Sequence, residues 1–288
     1  MKNSEPRIFS LVVFILMSLA MISCSKKEDE KVPEVSTLPI TEITNTTAKG
    51  GGTLINETFD NLAFFGLVID TLPEPTTGRK LIMTGGEAGT GFFTVDISGL
   101  KPHTRYYARA YATNKVGVGY GQDVEFITQV VVGDPVQGGV VAYIFSPLDN
   151  GYIEGRNSGI IVAESDIPGT YAWGCAGLLI PDVYSFVGFG LSNSLAIVAA
   201  CPFTDIAAAR ALNFTLNGNS DWFLPSANEL TRIYENLHLS GKLIFPGDFY
   251  WSSSQLDQNL AIVRGFHNNT LAGIDKATLA RIRAVRYF

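Results

Sequence analysis

Few residues of this chain are equipped for chemistry, and their types bound what that chemistry can be. Cysteine occurs three times, at Cys24, Cys175 and Cys201, and histidine only three times. A zinc or iron–sulfur centre with several protein ligands has almost nothing to be built from, so no metal or cofactor is expected. Ser252, Ser253 and Ser254 have no histidine or acid placed beside them, so their hydroxyls are expected to bond nearby backbone rather than attack a substrate. Cations concentrate near the end of the chain. Residues 258–288 hold five Lys or Arg and one Asp, whereas residues 134–257 hold four against twelve Asp or Glu. If Arg264, Lys276, Arg281 and Arg283 share one surface, they can hold sulfate or carboxylate groups through charge-assisted bonds. Neutralising the acidic surface of the same domain is the competing role. The formal net charge of −6 argues against nucleic acid as a partner.

The first thiol has a distinctive setting. Lys2 and Arg7 precede an apolar run from Ile8 to Ile22 that ends in Met21-Ile22-Ser23-Cys24. A spanning helix needs roughly 20 apolar residues, so this run reads as the core of a cleaved signal peptide over 1–23. The ending resembles the lipobox of bacterial lipoproteins, with Met21 departing from the usual leucine. The resemblance implies a diacylglycerol on Cys24. Residues 24–33 are polar and charged and read as a flexible tether. Lys27 followed by Glu28, Asp29 and Glu30 is similar to the surface-export signal of some Gram-negative lipoproteins. The implied location is the outer membrane, at the cell surface, with the membrane reached through the lipid.

Residues 34–130 carry few helix signals. Phe93, Val95 and Ile97 alternate with Thr94, Asp96 and Ser98, the period of a strand with one buried face. Ala63 to Ile69 is a short apolar run that reads as a central strand. In GLKPHTRYYARAYATNKVG, the residues Leu100, Pro102, Thr104 and Tyr106 fall at the spacing seen in fibronectin type III modules. GQDVEFIT, 121–128, resembles their last strand. The resemblance implies an immunoglobulin-like all-β sandwich in which the Tyr106 hydroxyl folds over a corner onto upstream backbone. His103 is expected to sit in a turn facing solvent. Nothing in this segment suggests catalysis, and a spacer role is expected.

Composition shifts after VVVGDPVQGG, and residues 134–288 form a second unit. Strands are expected over Val140–Phe145 and Ser158–Glu164. A helix is expected over 205–214, capped by Thr204, with Ile206, Ala209 and Leu212 or Phe214 inward. A clearer helix begins at Ser226-Ala-Asn-Glu229, a capping box placed just after Pro225. Leu230, Ile233, Tyr234 and Leu237 then recur on one face, and Gly241 ends the pattern. Trp222, Phe223 and Trp251 are expected in the core. Arg286, alternating with Ile282 and Ala284, is expected to pair with a buried carboxylate, for which Glu229 is the nominee. Strands and helices in this order suggest an α+β domain.

GGVVAYI, AWGC, GNSDWFLPSANEL, FYWSSSQ, AIVRGF and RAVRYF occur in the order seen in the Lcl C-terminal domain family. That family is similar in fold to C-type lectins and to the sulfatase-modifying-factor group. The resemblance implies a lectin-like head that attaches to glycans, sulfated glycosaminoglycans among them, without catalysis. The carboxylate–proline loop and Trp-Asn-Asp strand of calcium-dependent lectins are absent, which leaves Asp248 and Asp257 as weak candidates for a cation. Export makes a disulfide the expected state of Cys175 and Cys201, and a redox or copper pair, as in the sulfatase-modifying relatives, is the alternative. Three functions compete at this point. They are a surface adhesin or glycan-binding protein, a structural lipoprotein that contacts envelope or host surface proteins, and an enzyme, against which the missing catalytic constellation weighs.

Overall fold

The structure, a computed structural model, describes residues 31–55, 62–85, 87–88, 91–154, 156–247 and 249–288. The leader, Cys24 and Asp248 lie outside the described residues.

The first segment forms two antiparallel sheets. One runs β1 (Val35–Thr37), β2 (Ala48–Leu54), β6 (Phe92–Ile97), β5 (Glu87–Ala88). The other runs β4 (Ile82–Gly85), β3 (Phe64–Asp70), β7 (Arg105–Thr113), β8 (Val118–Tyr120), with β9 (Val124–Ile127) also paired to β7. The period-2 patterning decides which face turns inward. Phe93, Val95 and Ile97 from β6 meet Leu67 and Ile69 from β3, and Ala108, Ala110 and Ala112 from β7, in one core. The result is an all-β sandwich. Tyr106 is buried, and its hydroxyl accepts a hydrogen bond from the Lys101 N–H at 2.9 Å. Thr128 braces the same corner, donating to Lys101 O at 2.6 Å and accepting from Thr104 N at 2.9 Å.

The second segment combines three helices with antiparallel sheets. Its largest sheet is ordered β10 (Pro135–Val136), β11 (Gly139–Ile144), β12 (Gly159–Val162), β18 (Val285–Tyr287). The strand β13 (Tyr171–Ala172) pairs with β17 (Leu279–Ala280), and β14 (Phe249–Gln255), β15 (Leu260–Gly265) and β16 (Thr270–Asp275) form a three-stranded sheet. Ile161 and Ala163 face a core that contains Trp173, Trp222, Trp251 and Ile282. Ile160 and Val162 face a second core with Phe223, Leu230, Tyr250 and Phe266. Both faces of β12 are covered, which is why its sequence is a continuous apolar run rather than an alternation. The three tryptophans are fully buried and each indole N–H finds a carbonyl: Ser252 O for Trp173, Asn219 O for Trp222, Tyr171 O for Trp251. Each such side chain buries on the order of 200 Å² and contributes several kcal/mol.

The helices are α1 (Gly190–Ala200), α2 (Ala207–Leu212) and α3 (Ala227–Ile233), the last continuing into a wider turn over Tyr234–His238. The capping box at Ser226 and Glu229 is formed in both directions. The helix expected over 205–214 is shorter. Its cap position is Ile206, not Thr204, and Asp205 instead pairs with Arg210 at 2.6 Å. The helix α1 was not foreseen, because its amphipathicity is inverted. It buries Gly190, Asn193, Ser194 and Ile197, and leaves Leu191 and Leu195 exposed. Asn193 is satisfied inside by Tyr184 O at 2.6 Å and Ser253 Oγ at 3.1 Å. Among the described residues no helix is long and apolar enough to cross a membrane.

Cys175 and Cys201 form a disulfide, with Cα atoms 5.6 Å apart across 26 positions. It pins the end of α1 to the segment after β13. In the chain-entropy account a loop of this length is worth about 3.5 kcal/mol. Replacing both cysteines by serine is expected to lower the stability of this unit by about that amount, read as a shift of the urea midpoint in tryptophan fluorescence. An unmoved midpoint would show that the cross-link is energetically idle.

Candidate functional site

The four cations singled out in sequence do not form an exposed surface. Arg283 is 2% exposed. Its Nε donates to Asp166 Oδ1, and its Nη1 donates to Ala163 O at 3.1 Å and Glu164 O at 2.9 Å, while the guanidinium lies over Phe245. Lys276 is wholly buried, with Nζ bonded to Leu178 O at 2.8 Å and Gln255 Oε1 at 2.9 Å and stacked on Trp173. Burial holds its pKa below the ordinary lysine value. Arg264 is buried over the Tyr234 ring and donates to Asn269. Only Arg281 keeps substantial exposure, at 43% of its side chain, and it also leans on Asp166 at 3.3 Å. Desolvation explains the outcome. A charge taken from water needs acceptors, which Arg283 and Lys276 find inside the fold, whereas Arg264 has Asn269 and the Tyr234 ring, and its Nε is buried without a partner among the described residues.

The partner expected for Arg286 is also different. Arg286 forks onto Asp221, Nε to Oδ1 at 2.7 Å and Nη2 to Oδ2 at 2.8 Å, and reaches Gln137 Oε1 at 2.6 Å. The guanidinium, chiefly by hydrogen bonding, holds the Asp221 carboxyl below its usual range. Glu229 is fully buried elsewhere. Its carboxylate accepts from Gly188 N at 2.8 Å, Ser226 N at 2.8 Å and the Tyr287 hydroxyl at 2.7 Å. Desolvation pushes its pKa up despite these donors. Ser252 and Ser254 bond backbone as expected, whereas Ser253 meets a side-chain amide. Ser252 Oγ donates to Ile262 O at 2.7 Å, Ser254 Oγ to Tyr184 O at 3.0 Å, and Ser253 Oγ accepts from Asn193. Pro225 precedes the α3 cap, and its carbonyl accepts from Ser253 N at 2.7 Å. Asp257 is committed to its own turn, Oδ1 accepting from Asn259 N and Leu260 N, both at 2.7 Å. His103 is not turned to solvent. It is half-buried, with its ring edge-on to Phe288 at 5.1 Å.

Asn228, the neighbour of Glu229, lines a groove of about 670 Å³ that sequence reasoning missed. Three separate segments build it. The turn after β11 supplies Leu148, Asp149 and Asn150; the loop before α1 supplies Phe186 and its neighbours; the outer face of α3 supplies Asn228, Thr231 and Arg232. Local chemistry fixes each wall. Asp149 Oδ2 accepts from Ser146 N and Oγ, both at 2.7 Å, and from the Tyr143 hydroxyl at 2.9 Å. Burial pushes the Asp149 carboxyl up, but these hydrogen bonds together outweigh it and hold the pKa below the usual value. Asn150 Nδ2 donates to Gly188 O at 2.8 Å, and Ser226 Oγ donates to Phe186 O at 2.8 Å. Gly188 has φ +88°, and a Cβ there would lie 1.9 Å from Asn150 O, so only glycine allows the walls to approach.

The groove combines exposed apolar side chains with planar polar groups. Phe186 is 64% exposed and Leu148 97% exposed. Around them stand the amides of Asn150 and Asn228 and the guanidinium of Arg232, which rests over Tyr143 at 5.3 Å and pairs with Glu235 at 3.2 Å. Such a set can stack on the apolar face of a ring and hydrogen-bond its hydroxyls, with directional specificity from the amides. No nucleophile and base are paired in it. The available signals in sequence were the aromatic loop YSFVGF and the i, i+4 placement of Asn228 and Arg232 on the polar face of the capped helix.

No protein-family model matches the chain, and neither does any curated protein. Among solved structures, a sensor domain of the anti-sigma factor RsgI4 of Pseudobacteroides cellulosolvens is similar at 19% identity, over 34% of this chain and 96% of that one, with a TM-score of 0.25. The sixth fibronectin type III domain of human fibronectin type III domain containing protein 3 is similar at 22% identity, over 38% and 96%, with a TM-score of 0.26. The fibronectin type III domain derived from the human KIAA0970 protein is similar at 14% identity, over 54% and 100%, with a TM-score of 0.25.

Proposed function

We propose that this chain is an exported, lipid-anchored surface protein whose β-sandwich carries a non-catalytic, lectin-like head that binds glycan in the groove beside α3. The observation that carries the reading is the exposed Phe186 ring framed by Asn150, Asn228 and Arg232 in a preformed concavity. The apolar leader ending at Cys24 and the Cys175–Cys201 disulfide support export. The resemblance of the head to the Lcl C-terminal domain family supports glycan attachment. The burial of Arg264, Lys276 and Arg283 supports a ligand site away from the C-terminal cations.

A second reading, a structural lipoprotein that contacts envelope or host surface proteins, is favoured by one feature. The outward leucines of α1, Leu191 and Leu195, join exposed Leu178 and Leu179 as apolar surface on the same domain. An array of neutral and acidic glycans probed with the full chain separates the two. Saturable binding to a defined glycan class is expected, and silence across the array would leave the protein-contact reading in its place.

A further inference from the structure

A second concavity, of about 740 Å³, lies where the sandwich meets the head. The sandwich contributes His103, Arg105 and Ile127; the head contributes Ile153, Arg156, Ser158 and Phe288. Its chemistry differs from that of the groove. Arg105 is paired with Glu125 on the adjacent strand at 2.9 Å. Arg156 is exposed; its backbone N–H donates to Ile153 O at 3.1 Å, and among the described residues its guanidinium has no carboxylate partner. Ser158 is 9% exposed, and its Oγ is buried without a hydrogen-bond partner. His103 Nδ1 is buried and unpartnered as well. Both residues line the cleft, and a polar ligand seated there would give these atoms the hydrogen bonds that buried polar groups normally make. His103 holds φ +46° in the turn before β7, which fixes where its ring sits.

We propose that this interdomain cleft binds an oxyanion carried on an apolar body, with Arg156 supplying charge, Ser158 and His103 supplying hydrogen bonds, and Ile127, Ile153 and Phe288 enclosing the apolar part. Carboxylate, phosphate and sulfate share this chemistry. Because the walls come from both domains, the ligand ties the sandwich to the head. The site stands independently of the glycan groove, with which it shares no residue.

Calorimetric titration of the full chain in detergent at low salt tests the assignment, with benzoate and phenyl phosphate as probes and benzyl alcohol as the neutral counterpart. Saturable binding of one or both anions is expected, and which of them binds distinguishes a carboxylate from a phosphate or sulfate ligand. Arg156→Ala is expected to weaken it about tenfold, and Ser158→Ala also to weaken it, with the near-ultraviolet circular dichroism of both variants unchanged. No saturable binding of either anion into the millimolar range, equal binding of benzyl alcohol, or undiminished binding by Arg156→Ala would overturn the proposal.

Discussion

Replacing Asp166 with alanine is expected to destabilise the head by about 3–5 kcal/mol, because it strands a buried guanidinium. Among the described residues Asp166 is the one carboxylate met by Arg283, and it also takes Arg281 at 3.3 Å and the Tyr250 hydroxyl at 2.9 Å. Arg283 is 2% exposed and cannot regain water without opening the core around Phe245. All three tryptophans lie in the head, so their fluorescence during urea unfolding reports that unit and not the sandwich. A loss below about 1 kcal/mol would mean that Arg283 finds another partner. The same cluster has an alkaline signature. Burial, reinforced by the negative charge of Asp166, pushes the Tyr250 hydroxyl up to about 12. A raised folded value means that the contribution of Tyr250 is intact below its ordinary value of 10.0 and is lost as pH rises toward 12.

Removing the Glu229 side chain is the second large effect. In Glu229→Ala, the Gly188 N–H, the Ser226 N–H and the Tyr287 hydroxyl lose their acceptor in a fully buried site. Unmet buried donors of this kind cost about 3 kcal/mol or more together, again measurable by tryptophan fluorescence in urea. Gly188 lies between the groove residues Val187 and Phe189, and Ser226 holds the backbone of Phe186, so ligand affinity is expected to fall with stability. The pH dependence follows from burial. The folded state raises the carboxyl pKa, so the contribution is fully present below the ordinary value of 4.5 and is lost as pH rises through the folded value. Glu229→Gln removes the titrating group, and the stability slope with pH is expected to flatten. A slope identical to that of the parent chain would contradict the assignment.

The elements with strong local signals were legible in the sequence. The alternation at Phe93, Val95 and Ile97 gave the sandwich strand, and the Ser226–Glu229 box gave the start of α3. What could not be read falls into three physical classes. Counting charge by segment cannot tell a solvated cation from a buried one, and the partners that bury Arg283 and Arg286 lie 117 and 65 positions away. An inverted helix such as α1 shows its apolar residues to solvent and its Asn and Ser to the core, against the pattern by which helices are found. The groove is assembled from residues near 148, 186 and 228, so no contiguous motif announces it.

The central claim is that the head binds through the groove beside α3 and not through the C-terminal cations. Titration of the tightest array ligand against the full chain and three variants tests it most directly. Phe186→Ala and Arg232→Ala are each expected to weaken binding by about tenfold or more, since a central aromatic and a planar charged group dominate such sites. Arg281→Ala is expected to bind as the parent does. Loss of affinity in Arg281→Ala, with Phe186→Ala unimpaired, would contradict the account.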